Sequence, residues 1–183
     1  MTDDAHIEAA IIDDIVLIRV HGRGSFLNSR FLKDFLEKML SINYSNFMFD
    51  LSHCQTMDST FMGMLAGISI KLQEKGKGNI CLVKPNKQCY RLLSTLGLDQ
   101  ILEVRSEFKN PSEMNPDFKD ISPVKEYSQK EKLIHAIESH KNLIKLESQN
   151  KVKFENVLNL LEEDLEKYRA RETNSNSNPE KEE

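Results

Sequence analysis

Asp58-Ser59-Thr60 stands between an apolar run at 46–51 and a second one that begins at Phe61. Short side-chain oxygens of these kinds accept from the unpaired N–H groups of a helix's first turn, so the triplet reads as a helix start. Aligned peptide dipoles and free N–H groups make the same place electropositive and a seat for phosphate. A serine hydroxyl displayed there has two readings: an idle cap, or the acceptor of a covalent phosphate. Other chemistry is thinner. Gly22-Arg23-Gly24 supplies two glycines of a dinucleotide-binding turn, but Leu27 stands where the third is needed. A tight strand-to-helix turn accounts for both glycines. His53 and Cys54 adjoin each other, and His135 and His140 fall in a C-terminal helical stretch. Five positions separate that second pair, which takes them off a common helix face and speaks against metal ligation. A nucleophile and base built on Cys54 or Ser59 needs a histidine and an acid converging in space, and nothing local supplies them. No metal, no cofactor and no enzymatic activity is expected.

The elements that must position Ser59 alternate in type. Residues 5–12 and 15–20 are β-rich and separated by Asp13-Asp14, a tight-turn pair that predicts a hairpin. Over 26–40, Phe31, Leu32, Phe35, Met39 and Leu40 recur at helical spacing. A strand at 47–51 follows. The helix after Asp58 carries Phe61, Met64, Leu65, Ile68 and Leu72 inward and stops at Lys75-Gly76-Lys77-Gly78. A strand at 80–83, a short helix at 87–96 and a last strand at 101–104 complete the set. Strands alternating with helices of this length imply crossover connections. The expected domain, residues 1–107, is α/β: a mixed, mostly parallel sheet of four to five strands covered by helices.

Composition changes at Phe108. Residues 108–127 carry Pro111, Pro116 and Pro123 among polar residues and read as a linker or a surface-hugging loop. Ser128-Gln129-Lys130-Glu131 is a capping box. The helix it opens shows Leu133, Ile134, Ile137 and Ile144, and a second shows Phe154, Val157, Leu158, Leu161, Leu165 and Tyr168. A helical hairpin over 128–171 is preferred, with one long helix and a phase slip as the alternative. Its stripes must pack on each other, on the α/β domain, or on a second copy in a homodimer. Glu162-Glu163-Asp164 reads as a solvated face, and 172–183 as a polar, disordered tail. The 183 residues bear a net charge of -4, with Lys and Arg scattered, which gives no reason to expect nucleic acid. Three cysteines without a CxxC pair suit reduced thiols in the cytoplasm. No basic-then-apolar leader opens the sequence, and the apolar run at 61–70 is too short to cross a bilayer.

The α/β part resembles the STAS domain family, in its anti-sigma factor antagonist type. The resemblance lies in the strand ending Phe49-Asp50-Leu51-Ser52, the Asp58-Ser59-Thr60 entry to an apolar helix, the basic glycine-rich turn, Lys84-Pro85 closing a strand, and Leu96-Gly97-Leu98 before the last one. It implies that Ser59 is the phosphoacceptor, with Thr60 second, and that Asp58, Ser59 and Thr60 lie on the partner-binding face. It further implies a partner-switching cycle. The unphosphorylated protein would bind an anti-sigma factor that is also a serine kinase and holds the ATP itself. Phosphate on Ser59 would end binding, and a PP2C-like phosphatase would restore it. The family often has glycine where Phe61 stands here, while Gly63 is retained. The alternative is a constitutive scaffold or adaptor that oligomerises through its C-terminal helices, with Ser59 only a cap.

Overall fold

The fold is that of a computed structural model, which describes residues 5–108, 116–122 and 126–176. β1 (Ile7–Ile12) and β2 (Ile15–Val20) form the expected antiparallel hairpin, paired from Ile7↔Val20 to Ile12↔Ile15. α1 (Phe26–Ser41) crosses to β4 (Asn46–Asp50), which lies parallel to β2. α2 (Ser59–Glu74) crosses to β6 (Asn79–Val83), and α3 (Lys87–Thr95) with one 3-10 turn, Leu98–Gln100, crosses to β7 (Glu103–Arg105). The strand order is β7-β6-β4-β2-β1-β8, where β8 (Lys119–Asp120) is a two-residue addition beside β1. The sheet is thus mixed and mostly parallel, with five strands from the α/β segment and a sixth brought back by the chain after it.

Alternation along the strands divides the core in two. Val16, Ile18, Phe47, Phe49, Ile80 and Leu82 face α1 and α2 and form the main core with Leu32, Leu36, Phe61 and Leu65. Leu17, Met48, Cys81 and Val83 face the other way and meet Phe108 and Phe118. Helices therefore cover one face, and the stretch after β7 shelters the other. Arg19 stacks its guanidinium 3.9 Å from the centre of the Phe118 ring.

Sequence periodicity does not reveal a second, two-stranded sheet. β3 (Gly22–Gly24) and β5 (Cys54–Met57) run parallel to one another. Only three or four residues long, and glycine-rich in β3, they carry no alternation to read. Their ladder brings the chain before α1 beside the chain before α2, and Asp58 N donates to Gly24 O at 2.9 Å.

The C-terminal part is two helices, α4 (Gln129–Leu146) and α5 (Gln149–Asn176). Ser128 caps α4 as the capping box predicts, accepting from Glu131 N. Glu147 breaks the helix in extended conformation, which makes this a hairpin and not one helix. Of the stretch 172–183, residues 172–176 continue α5 and 177–183 lie outside the described residues. Among the described residues no helix is long and apolar enough to cross a membrane.

Candidate functional site

The head of α2 is held by Asp58. Its Oδ1 accepts from Phe61 N at 2.9 Å, the N-cap bond that the sequence calls for. Its Oδ2 accepts from Phe26 N at 2.7 Å, the first residue of α1. One carboxylate thus answers orphan N–H groups of two helices at once, and their positive ends converge on it. Ser59 is the first residue inside the helix, half-buried, and its hydroxyl makes no cap. Thr60 is buried. Phe61 is fully buried against the β3 turn: a β-carbon on Gly24 would lie 3.0 Å from its ring. Its place in the core keeps this departure from the usual glycine away from the surface that surrounds Ser59.

The hydroxyl of Ser59 meets a residue eighty-one positions away. Ser59 Oγ lies 3.0 Å from His140 Nε2, on α4. His140 Nδ1 is 2.8 Å from Ala136 O, and a carbonyl only accepts, so Nδ1 carries the proton. Nε2 is then the lone-pair side, and Ser59 is the donor. Phe154 of α5 holds the ring edge-on, with centroids 5.2 Å apart.

The rest of α4 lies along α1 and α2 in the same way. A β-carbon on Gly63 would overlap the carbonyl of Ser139, so there the helices meet almost backbone to backbone, while one on Gly67 would press on the Asn142 side-chain amide. Asn142 Nδ2 donates to Gly63 O at 3.2 Å. His135 Nε2 lies 2.8 Å from Ser29 Oγ, both fully buried. Burial first, then the nearby Lys33 and Arg30 charges, push His135 down to about 4, so it sits in the fold as the neutral ring. His135 and His140 do leave by different directions, as their spacing says, and each finds a different serine. Sequence reasoning misses both contacts because nothing in a helical stripe of apolar residues points to them.

Elsewhere the chemistry is structural. Asp50 is buried, which opposes its charge. Two hydrogen bonds from Ser52 and the Arg19 ion pair at 3.0 Å outweigh that and hold it below the usual carboxylate range. His6, Glu8 and His21 are the one described group with metal-ligand atoms close together, and the His6 and His21 rings stack at 4.1 Å. Arg19 already stands 3.8 Å from Glu8, so a divalent ion would sit against a guanidinium. The group is better explained as an ion-pair network. All three cysteines are buried and unbridged, and a hydrogen bond shared with Cys54, then burial, keeps the Cys89 thiol protonated. A cavity of about 280 Å³ opens along the α2–α4 seam, lined by Lys33, Met64, Gly67, Glu138, Ser139 and Asn142 among others. Neither Ser59 nor His140 lines it, so their serine–histidine pair has no substrate cavity beside it there.

Among known proteins, a model of the STAS domain matches residues 6–110. A solved structure from Thermotoga maritima, assigned as an anti-sigma factor antagonist, is 25% identical with a TM-score of 0.52, covering 57% of this chain and 90% of its own. An anti-sigma factor antagonist from Mycobacterium paratuberculosis is 16% identical with a TM-score of 0.50, covering 59% of this chain and 91% of its own. The second likeness is one of fold alone. Both matches use nearly all of the relative and little more than half of this chain. No curated protein sequence matches it.

Proposed function

The chain belongs to the STAS domain family, and from that premise we propose that it is an anti-sigma factor antagonist whose binding is switched by phosphate on Ser59. The observation that carries the reading is the division of work at the head of α2. Asp58 alone provides the cap, which leaves the Ser59 hydroxyl at two converging helix starts with no capping duty. A phosphate there gains from the helix ends but stands beside the Asp58 carboxylate, and its charge and bulk alter the face a partner must touch. The name of the Thermotoga relative supports the same class of partner. The unphosphorylated protein binds an anti-sigma factor with a kinase-type ATP site, and the ATP belongs to that partner. A PP2C-like phosphatase resets Ser59. The chain itself binds and does no chemistry, and three buried, unbridged thiols suit a reducing cytoplasm.

Incubation with the switch-type serine kinase and Mg-ATP, read by intact mass, tests this. Wild type is expected to gain one phosphate and Ser59→Ala none, with Thr60→Ala unchanged. Undiminished uptake in Ser59→Ala overturns the assignment.

One observation favours the adaptor reading. Val152, Val157 and Leu160 of α5 are exposed, Val152 at 85%. If they join two copies, light scattering of the full chain at micromolar concentration reports a dimer that Leu160→Glu dissociates. A monomer at all concentrations removes that reading.

A further inference from the structure

We propose that the α1–α2 face around Ser59 is a helix-docking surface, that α4 is its resident occupant, and that the partner reaching Ser59 presents a helix of the same kind after displacing α4. The proposal rests on the reading of Ser59 as the partner's point of contact. The seat is shaped for a helix at close range. Gly63 of α2 has no room for a β-carbon while α4 is in place, and one turn on, a β-carbon on Gly67 would push the Asn142 amide aside. Ala136 and Ser139, both buried, are the small residues that α4 brings to the crossing. Beside them His140 accepts from the Ser59 hydroxyl and Asn142 donates to the Gly63 carbonyl.

The contact is also made of groups that water can serve. On the α4 side His135, Ser139, His140 and Asn142 hydrate on release at little loss, and the apolar cost falls on Met62 and Ala66 of α2, which a partner's helix covers in turn. His135 Nδ1 is buried with no hydrogen-bond partner among the described residues, a cost that release removes. The cavity along the seam forfeits packing contacts. The ion pairs Lys33–Glu138 and Lys145–Glu74 lie at the surface, where such pairs contribute little. Meanwhile Leu133 and Ile137 of α4 close on Leu165 of α5, so the hairpin keeps an apolar cluster of its own when it leaves. What holds it in place is at the far end. Leu143 is in the main core, Phe154 packs against that core, and Asn150 Nδ2 donates to Leu96 O at 3.1 Å. Closed is the resting state, and in it Ser59 is half-buried with its hydroxyl engaged by His140.

The partner that fits is therefore a helix with small residues three apart at the crossing and a lone-pair acceptor placed over Ser59. A face that is open in only a fraction of molecules has its apparent affinity cut by that fraction. Opening it should raise affinity accordingly.

Two probes test this on the full chain. Ser139→Arg puts a long cation into a buried contact and drives α4 off while leaving α2 unchanged; Ala136→Glu is a second route to the same state. Hydrogen exchange over α4 and over the β-sheet confirms release with the fold intact. A labelled peptide of residues 128–147 should then bind the released variant saturably, and wild type at least ~10-fold more weakly. Adding Gly63→Val should abolish that binding. The kinase-type anti-sigma factor should likewise bind the released variants at least ~10-fold more tightly than wild type. Equal partner affinity for closed and released protein, or equal peptide binding to both, overturns the proposal. A peptide that docks while no kinase modifies Ser59 sinks the switch reading alone. Phosphorylation of Ser59 at equal rates in closed and released protein sinks the docking proposal alone.

Discussion

Alanine at Asp58 is expected to destabilise the protein by about 2–4 kcal/mol, more than the loss of an ordinary cap. The cap bond to Phe61 N contributes about 0.5–2 kcal/mol by itself. The other oxygen serves Phe26 N at 2.7 Å, and that half-buried N–H is left without its acceptor, at about 1–3 kcal/mol. The β3–β5 ladder that fixes the two helix starts side by side remains, so neither N–H can turn to another acceptor nearby. Asp58→Asn is the informative control. An amide offers one carbonyl oxygen, so this variant can satisfy Phe61 or Phe26 but points its N–H₂ at the other. It should fall about midway. Urea midpoints at neutral pH measure both. A cost under about 0.5 kcal/mol for Asp58→Ala would mean that water replaces the carboxylate at both helix ends. Because Asp58 also sets where Ser59 emerges, the alanine variant should take up phosphate more slowly even where it stays folded.

The order of strands and helices is legible because each element carries its own period and its own stop. Asp13-Asp14 marks the hairpin, Lys75-Gly76-Lys77-Gly78 ends α2, and Ser128 with Glu131 opens α4. Ser59 is legible for the same local reason, since Asp, Ser and Thr in a row before an apolar run mark a helix start. The structure adds that Asp58, not Ser59, caps it. The residue over Ser59 is not legible. The apolar stripe of α4 that stands out in the sequence, Leu133 and Ile137, faces α5. The face that meets α1 and α2 is His135, Ala136, Ser139, His140 and Asn142, with Leu143 its one large apolar residue, too little to make a stripe. A hint does exist in α2. Phe61, Met64, Leu65 and Ile68 fill the sheet side, yet Met62, Gly63 and Ala66 are buried too, and a helix apolar all round needs cover on a second side. Glycines at 63 and 67 add that the cover comes close. What covers it requires the fold, because β3 and β5 are too short to announce how α1 and α2 are brought together.

Mild acid should loosen α4 before it harms the sheet. His135 is neutral in the fold, with its ionisation pushed down to about 4, while in an unfolded chain it follows the ordinary histidine value near 6.5. Its contribution is fully present above about 6.5. As pH falls from there to about 4, the released or unfolded chain takes up a proton that the docked ring refuses, so stability declines across that window and levels off below it. The difference corresponds to about 3 kcal/mol at most. Burial sets the sign, and the charges that face the ring reinforce it. Lys33 and Arg30 of α1 oppose a third positive charge, and Glu138 of α4 with Glu37 of α1 only partly offset them. The tautomer agrees with a neutral ring: the Ser29 hydroxyl donates to Phe26 O at 3.4 Å and so accepts from His135 Nε2–H at 2.8 Å, and the orphan is an Nδ1 lone pair, the cheaper group to leave buried. Three carboxylates with lowered ionisation act only at the foot of this window and below it. Asp50, Glu37 and Asp120 are all held below their usual range, so they lose their stabilising charge only in stronger acid. His135→Gln keeps a donor for Ser29 and cannot be protonated, so its urea midpoint should stay flat between about pH 6.5 and 4.5 while wild type falls. Hydrogen exchange should place the change first in α4 and at the head of α2. Parallel curves for wild type and His135→Gln would show that the ring is already hydrated where it sits, and that the seam over Ser59 is open at neutral pH.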